Sequence, residues 1–373
     1  MVYNSSACTQ VHVGARFVQT LRPFDIREVM ALSMNFKRRL PIPKEIREEM
    51  ALDAELAATK EAFDAEIAQA LTGESGKLLV VVGPCSADRE DAVLEYVTKL
   101  AKLNESVKDK LVLVPRVYTN KPRTKGTGYK GILHNPNPEE PDDLLAGIKA
   151  IRHLHIRVVE ESGMFTADEM LYPENQQFLY DLISYTAVGA RSTEDQQHRL
   201  VASGISCPVG MKNPTGGNLD VMLNSIYAAQ QRQTFIYRNW EVETTGNPLA
   251  HAVLRGRIGS DGHPHANYHY EHLELLSRIY TNNDFINPAV IVDCNHDNSA
   301  KRPLEQMRIC NEVLDSMNRS KDIAKLVRGF MIESYLEDGA QPVGGGVYGK
   351  SITDPCLGWE KTSHLIMSLA DRL

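Results

Sequence analysis

The stretch LVLVPRVYTNKPRTKGTGYKG, residues 111–131, joins an apolar segment to a basic loop. Its first five residues are apolar and rich in β-branched side chains, which is typical of a buried strand. The loop that follows contains glycines, which let the backbone approach a ligand closely, and several cations, among them Arg116, Lys121, Arg123 and Lys130. In a parallel α/β sheet, a strand followed by such a loop is typical of a site for a phosphorylated small molecule. The alternative is a solvated charged loop.

On both sides of this stretch, short apolar runs alternate with helical patterns. Such alternation predicts a parallel sheet with helical crossovers. Eight units over residues 77–373 favour an α/β fold of the (β/α)8 TIM-barrel type. An open doubly wound sheet is the alternative, since a strand count from sequence can be wrong by one or two. The eight predicted strands are LLVVVG (78–83), LVLVP (111–115), MFTADEM (164–170), TAVGA (186–190), CPVGM (207–211), TFIY (234–237), AVIVDCN (289–295) and VRGFMIE (327–333).

The segment before the first strand, residues 1–76, is predicted to be an N-terminal helical extension of the catalytic barrel, residues 77–373. A short strand is expected at 11–18, and a helical pattern runs over 25–70, divided by Pro41 and Pro43. We expect an oligomer contact or a regulatory arm, with a polar helix on the domain surface as the alternative. Between the strands, helices are predicted over 88–103, 142–161, 174–183, 193–202, 219–230 and 303–318, with helical segments after TFIY up to Tyr280 and a last helix from 358 onward.

Composition excludes several classes of protein. The 373 residues carry a formal charge of -7, with a pI of about 6.0, which argues against a general nucleic-acid binder. The six cysteines form no CxxC pair and no signal peptide precedes them, so we expect reduced thiols in a cytoplasmic protein. No apolar run is long enough to span a bilayer.

The carboxyl ends of barrel strands share one face, where barrel enzymes keep their chemistry. One thiol, one imidazole and two carboxylates follow predicted strands or lie in the last loop: Cys85, His296, Glu333 and Asp354. This mixture suits a divalent transition metal that keeps room for a substrate or water. A single buried Cys or His is usually a core residue, so the hypothesis depends on all four side chains meeting.

A second set at the strand ends is cationic. Arginine grips phosphate and carboxylate through two parallel hydrogen bonds. The backbone amides of Gly189 and Ala190, just before the next predicted helix, add donors. So many cations on one face repel one another unless anions lie between them, which indicates two phosphorylated substrates. The cations are Arg116, Lys121, Arg123, Arg191, Lys212 and Arg255.

Together these residues resemble one family, the type I 3-deoxy-D-arabino-heptulosonate 7-phosphate (DAHP) synthases. The likeness covers nearly the whole chain from about residue 78, and the motifs are highly specific in combination. KPRT distinguishes this family from the related 3-deoxy-octulosonate 8-phosphate synthases. The matching stretches are GPCSADRE (83–90), PRVYTNKPRT (115–124), YKG (129–131), GARSTEDQ (189–196), GMKN (210–213), LRG (254–256), IVDCNHDNS (291–299), ES (333–334) and GKSITDPCLGWE (349–360).

The resemblance implies a metal-dependent condensation of phosphoenolpyruvate with erythrose 4-phosphate, which opens the shikimate pathway. It implies one divalent metal ion per subunit, with manganese as our first choice and iron, cobalt and zinc also fitting the ligands. The implied metal ligands are Cys85, His296, Glu333 and Asp354. The implied phosphoenolpyruvate contacts are Arg116, Lys121, Gly189, Ala190, Arg191, Lys212 and Arg255. The implied erythrose 4-phosphate contacts are Pro122, Arg123, Thr124 and Asp354.

In this interpretation the catalytic residues are Lys121, Cys85 and His296. Lys121 is expected to give a proton to the new alkoxide, and Glu169 is the candidate for assisting the water that adds to phosphoenolpyruvate. The likeness also implies a homodimer or homotetramer and an aromatic amino acid effector. Tyr237 stands where relatives have a small residue beside the effector site, and a phenol there could fill the pocket and alter the usual feedback control. Pro214 and a longer loop after KPRT are further departures.

Three other functions stay open at this point. An octulosonate-type synthase would use the same chemistry on a longer sugar. A Schiff-base aldolase would use Lys212 as its amine and need no metal. A sugar-phosphate sensor would bind both phosphates without releasing inorganic phosphate.

Overall fold

The computed structural model describes residues 35, 37–123, 125–136 and 141–373. The chain divides into two units, residues 1–41 and 42–373, and the description below concerns the second. The strand predicted at 11–18 lies outside the described residues, as does the helical pattern over 25–34.

Eight parallel strands form the barrel. They are β1 (Leu78–Gly83), β2 (Leu111–Pro115), β3 (Thr166–Glu169), β4 (Ile183–Val188), β5 (Val209–Lys212), β8 (His251–Leu254), β11 (Val290–Asp293) and β12 (Val327–Glu333). The strands are hydrogen-bonded in the order β2-β1-β12-β11-β8-β5-β4-β3. Just beyond β2, the amide of Val117 donates to Ala167 O at 2.8 Å, in a parallel bridge that brings the two end strands together. The predicted (β/α)8 barrel is confirmed.

The sixth predicted strand was wrong. TFIY is β6 (Thr234–Tyr237), which pairs antiparallel with β7 (Trp240–Glu243) in a hairpin outside the barrel. Its turn residues, Arg238 and Asn239, have φ of 52° and 65°, as two-residue hairpin turns require. The sixth barrel strand is HAVL, which is buried throughout and pairs with β5 and β11. Both runs are short and apolar, so only tertiary packing separates them.

The described residues contain ten α-helices. They are α1 (Pro43–Glu49), α2 (Ala54–Thr72), α3 (Glu90–Val107), α4 (Leu144–Ser162), α5 (Gln196–Ala202), α6 (Leu219–Gln230), α7 (Tyr270–Thr281), α8 (Glu305–Arg319), α9 (Lys321–Leu326) and α10 (Trp359–Asp371). A two-strand ribbon, β9 (Arg257–Ile258) with β10 (Pro264–His265), precedes α7. No described helix is long and apolar enough to cross a membrane.

Three helix predictions were wrong in extent. Of the helical segments expected up to Tyr280, only α7 forms, because β7, β8 and the β9–β10 ribbon occupy the chain before it. The pattern at 174–183 gives only a 3₁₀ helix, Pro173–Phe178, because β4 already begins at Ile183. The pattern at 44–70 is two helices rather than one. The side chain of Asp53 caps α2 by accepting from the amide of Glu55 at 2.8 Å, which fixes a new helix start.

The core has two parts. The larger lies between the strands and the surrounding helices. The smaller fills the barrel interior with inward side chains such as Val81, Val114 and Met331. Three buried residues of α2, Ile67, Ala70 and Leu71, belong to this interior cluster. Since α2 leads directly into β1, it closes the amino end of the barrel and leaves the carboxyl end open.

Candidate active site

A cavity of about 380 Å³ lies where the strands end. Its lining comes from segments far apart in sequence that the barrel brings to one face. The lining residues are Cys85, Arg116, Lys121, Pro122, Arg123, Glu169, Gly189, Ala190, Arg191, Ser192, Lys212, Thr215, Arg255, His296, Lys301, Ile352, Thr353 and Asp354. Of the residues predicted for the site, Glu333 is fully buried against this lining, and Thr124 lies outside the described residues.

Three of the four predicted metal ligands form a tight group. One ligand atom from each of Cys85, Glu333 and Asp354 lies within 4.8 Å of the other two. His296 is not in that group of three, but its Nε2 is 3.7 Å from Glu333 Oε1. The four side chains therefore face one point of the cavity, with the imidazole at the edge of the group.

Loop contacts fix these ligands. The amide of Cys85 donates to Cys356 Sγ at 3.4 Å, which ties the end of β1 to the loop that carries Asp354. Ser351 Oγ donates to the carbonyl of Asp354 at 2.8 Å. His296 adopts a φ of 50°, a left-handed conformation that is rare outside glycine and is often found at functional sites.

The donor set fits a divalent cation. Glu333 is the last residue of β12 and fully buried, and in the described part of the chain no hydrogen bond reaches its Oε1. Burial opposes its ionisation, but the charges of Arg116, His296 and Lys121 lower the pKa of Glu333 to about 2. Burial and Glu333 raise the pKa of the Cys85 thiol. A cation would suit both groups, since metal binding favours the thiolate and would bring a second positive charge to Glu333 Oε1, which Arg116 Nη2 already approaches to 2.7 Å.

Arg116 and Lys121 lie beside this group. Arg116 Nη2 is 2.7 Å from Glu333 Oε1, and its guanidinium carbon is 3.8 Å from the centre of the Tyr118 ring. Its Nε and Nη1 have no hydrogen-bond partner among the described residues, although the side chain is buried. Lys121 Nζ donates to Cys85 O and lies 3.3 Å from Cys85 Sγ. Two donors of Arg116 are thus left for a ligand.

Lys212 and Arg255 are each paired with a buried aspartate. Lys212 Nζ is 3.2 Å from Asp293 Oδ2, and Arg255 Nη1 is 2.5 Å from Asp297 Oδ2. Burial opposes the charge on Asp293, but His296 and Lys212 lower its pKa far below the usual range. These pairs hold both cations at the cavity before any ligand binds.

Gly189 and Ala190 line the cavity, but the helix expected just after them does not begin there. The amides of Ser192 and Thr193 turn back to Gly189 O at 2.9 and 3.1 Å, and α5 starts only at Gln196. A Cβ at Gly189 would lie 2.4 Å from Glu169 Oε1. Glycine at this position therefore lets the carboxylate of Glu169 enter the cavity.

The outer part of the cavity is more exposed. Pro122 is half-buried, and the exposed Arg123 donates from Nε to Tyr129 O at 2.6 Å. Lys301 Nζ lies 2.8 Å from Asp354 Oδ1. Sequence reasoning missed Lys301, although it follows the His296 motif by only a few residues. Its φ of 58° turns the chain back toward the cavity, and no strand end marks the position.

Asp293 and Asp297 were also missed. Asp293 ends β11, so the strand-end rule that selected Glu333 would have found it. His296 was preferred in the motif at 291–299, which contains both aspartates, because imidazole is the commonest metal ligand.

Comparison with known proteins shows the family. The profile of the family described as "DAHP synthetase I family" matches residues 51–367. The chain belongs to that family. A curated relative, "Phospho-2-dehydro-3-deoxyheptonate aldolase, Trp-sensitive" of Enterobacter agglomerans, is 38% identical over 88% of this chain and 93% of its own. The "Phe-sensitive" enzyme of Escherichia coli K12 is 37% identical over 91% of this chain and 98% of its own.

A solved structure shares the fold of this DAHP synthase family member. Phospho-2-dehydro-3-deoxyheptonate aldolase from Francisella tularensis SCHU S4 superposes with a TM-score of 0.83 and 29% identity, over 91% of this chain and 98% of that chain. Enzymes of this family condense phosphoenolpyruvate with erythrose 4-phosphate to give DAHP and phosphate, the first step of the shikimate pathway.

Proposed function

We propose that the cavity at the strand ends carries out this condensation on phosphoenolpyruvate, erythrose 4-phosphate and water. The observation that supports the proposal most strongly is the meeting of Cys85, Glu333 and Asp354, with His296 at their edge, beside a group of cations. Neither a Schiff-base aldolase nor a sugar-phosphate sensor needs such a donor set.

Cys85, His296, Glu333 and Asp354 would hold one divalent metal ion per subunit. We propose manganese, with iron, cobalt and zinc as ions that the same ligands accept. When bound, the ion supplies Lewis acidity toward the aldehyde oxygen of erythrose 4-phosphate. The residues around it bind and orient the two substrates.

Phosphoenolpyruvate would lie on the cationic side of the cavity. Arg116 offers its free Nε and Nη1, while Lys212 and Arg255 are held in place by their aspartates. Arg191, Lys121 and the backbone of Gly189 and Ala190 complete the contacts. The role of these groups is largely positioning, which places the methylene carbon of phosphoenolpyruvate against the aldehyde.

Erythrose 4-phosphate would occupy the outer part, with Pro122, Arg123, Thr124 and Asp354 as its contacts. Arg123 lies at the exposed rim, where a phosphate can enter without displacing a buried group. This order puts the aldehyde end inward and the phosphate end outward.

Two groups are placed for proton handling. Lys121 Nζ lies beside Cys85, so it can give a proton to an alkoxide that forms there. Glu169 enters the cavity next to Gly189, on the phosphoenolpyruvate side, where its carboxylate can orient the water that adds to the enol carbon. Phosphate then leaves by cleavage of its C–O bond.

A second groove, of about 530 Å³, includes Tyr237 in its lining. We propose that an aromatic amino acid effector acts on this chain, since the relatives are named Trp-sensitive and Phe-sensitive. Tyr237 Oη donates to Pro173 O at 2.7 Å, which fixes the phenol in the groove. We therefore expect the response to tryptophan, phenylalanine or tyrosine to change when Tyr237 is replaced by alanine.

We also propose that the protein is a cytoplasmic homodimer or homotetramer, with residues 1–76 as an extension that serves oligomer contacts or regulation. The β6–β7 hairpin supports self-association, because Ile236 and Trp240 are 76% and 73% exposed. Sedimentation of the full chain tests the state, and replacing Trp240 with serine should shift it toward the monomer.

A phosphate-release assay tests the reaction. We expect release with phosphoenolpyruvate and erythrose 4-phosphate, loss of release with chelator, and recovery with Mn²⁺. Preference for arabinose 5-phosphate would indicate an octulosonate-type synthase instead. Borohydride trapping of Lys212, with indifference to chelator, would indicate a Schiff-base aldolase, and binding without phosphate release would indicate a sensor.

A further inference from the structure

Asp293 ends β11 and is fully buried between two groups of the site. Its Oδ2 lies 2.9 Å from His296 Nδ1 and 3.2 Å from Lys212 Nζ. One carboxylate oxygen therefore faces an imidazole on the metal side and an ammonium on the phosphoenolpyruvate side.

The surroundings hold this carboxylate in place. Its other oxygen, Oδ1, accepts from the amide of Asn295 at 3.1 Å. Asn298 Nδ2 donates to the carbonyl of Asp293 at 2.8 Å and to Leu254 O at 3.0 Å, which ties the end of β11 to β8. Because the backbone and Oδ1 are both fixed, Oδ2 cannot move toward one neighbour without moving away from the other.

The position of Oδ2 has a consequence for each neighbour. A carboxylate oxygen 2.9 Å from Nδ1 orients the imidazole ring, so that Nε2, 3.7 Å from Glu333 Oε1, is the nitrogen on the side of the other proposed metal ligands. The same charge holds the Lys212 ammonium at the cavity wall, where it faces the proposed phosphoenolpyruvate site.

We propose that Asp293 is a positioning residue shared by the metal site and the phosphoenolpyruvate site, and that it couples binding at one to binding at the other. The inference rests on the proposed function, because it assigns His296 to the metal and Lys212 to phosphoenolpyruvate. Linkage makes the coupling reciprocal, so each ligand changes the affinity of the other by the same factor.

Asp293→Asn tests the shared role, because it removes the charge and nearly keeps the shape. We expect the Kd for Mn²⁺, measured from the electron paramagnetic resonance signal of the free ion, to rise about 10- to 100-fold. The Kd for phosphoenolpyruvate at saturating Mn²⁺, measured by calorimetry, should rise about tenfold. A change in only one of the two constants, or in neither, overturns the inference.

Asp297→Asn is the matched control, since it makes the same chemical change at the partner of Arg255. We expect a weaker Kd for phosphoenolpyruvate and a Kd for Mn²⁺ within about twofold of the unchanged chain. If Asp297→Asn weakens Mn²⁺ as much as Asp293→Asn does, the effect is general electrostatics and the inference fails.

His296→Gln tests the coupling from the other side, and it also serves if Asp293→Asn does not fold. Without the imidazole, Asp293 Oδ2 is no longer held from the metal side, so Lys212 is positioned less well and the metal-free Kd for phosphoenolpyruvate should rise about threefold. An unchanged Kd overturns the inference. If the unchanged chain binds neither Mn²⁺ nor phosphoenolpyruvate, the proposed function itself fails, which is a different result.

Discussion

The inner and outer parts of the cavity hold their cations differently. In the inner part, Arg116, Lys212 and Arg255 are buried and each is paired with a buried carboxylate. At the rim, Arg123 and Arg191 are exposed, and the side chain of Arg191 pairs with no acid among the described residues. The inner cations are fixed by carboxylates before the substrates arrive, while Arg191 at the rim is free to close on them.

The difference has a physical cause. A buried cationic side chain has lost its hydration and needs a counter-charge, because an unpaired buried charge costs several kcal/mol. An exposed cation keeps its water and needs no partner. Removing an inner cation should therefore damage both stability and function, whereas removing a rim cation should affect only binding.

Arg116→Leu should have the largest effect. It leaves Glu333 buried without its counter-ion, so we expect the free energy of unfolding in chelator to fall by about 3–5 kcal/mol, together with loss of activity. Urea unfolding followed by circular dichroism measures the first. Arg191→Leu is the control at the rim, and its stability should stay within about 0.5 kcal/mol of the unchanged chain. Equal losses for both variants would remove the distinction between the two parts.

His251 provides a further comparison, since it is buried and has no counter-ion among the residues that the structure describes. It accepts from Tyr185 Oη and donates from Nδ1 to Leu249 O, both at 2.8 Å, and burial lowers its pKa to about 4. Below a pH of about 6.5, the ordinary pKa of histidine, the unfolded chain binds a proton at this imidazole. The folded chain does not bind it until the pH approaches about 4. Stability should thus fall between pH 7 and pH 5, with about 2 kcal/mol of the loss due to this group.

Urea unfolding at the two pH values measures this loss, and His251→Gln provides the control. Its side chain does not titrate, so its stability should depend less on pH by that amount. The same pH dependence in both proteins would show that His251 does not stay neutral on folding.

Arg191→Met tests binding at the rim. We expect KM for phosphoenolpyruvate to rise about tenfold, because one charge-assisted contact is lost, while kcat changes little. Steady-state kinetics with each substrate varied in turn separates these quantities. A large fall in kcat with KM unchanged would indicate that Arg191 stabilises the transition state rather than the bound substrate.

Lys301→Met should have the smallest effect. Lys301 is exposed and paired with Asp354 at the outer part of the cavity, so KM for erythrose 4-phosphate should rise about threefold and KM for phosphoenolpyruvate should not change. A higher KM for phosphoenolpyruvate with an unchanged KM for erythrose 4-phosphate would indicate that Lys301 contacts phosphoenolpyruvate instead.

Much of this architecture could be predicted from the sequence. Buried parallel strands are continuous apolar runs, so seven of the eight barrel strands could be located. The sixth barrel strand could not be located, because TFIY and HAVL are both short apolar runs, and only the packing of the barrel buries HAVL and leaves TFIY outside. Short-range pattern does not contain that information.

The residues of the site also fall into those that could be located from the sequence and those that could not. Residues that end strands, such as Arg116 and Glu333, could be placed together by the barrel rule alone. Lys301 could not, because its approach depends on left-handed backbone at Ala300 and Lys301 that no sequence pattern signals. The pairing of Lys212 with Asp293 needed the register between β5, β8 and β11.

The most direct test of the account is the metal content and activity of Cys85→Ala. If Cys85 is a ligand, the purified variant should bind Mn²⁺ far more weakly and lose about three orders of magnitude in phosphate release, while its circular dichroism spectrum stays that of the folded barrel. A variant that is folded, free of metal and fully active would contradict the account.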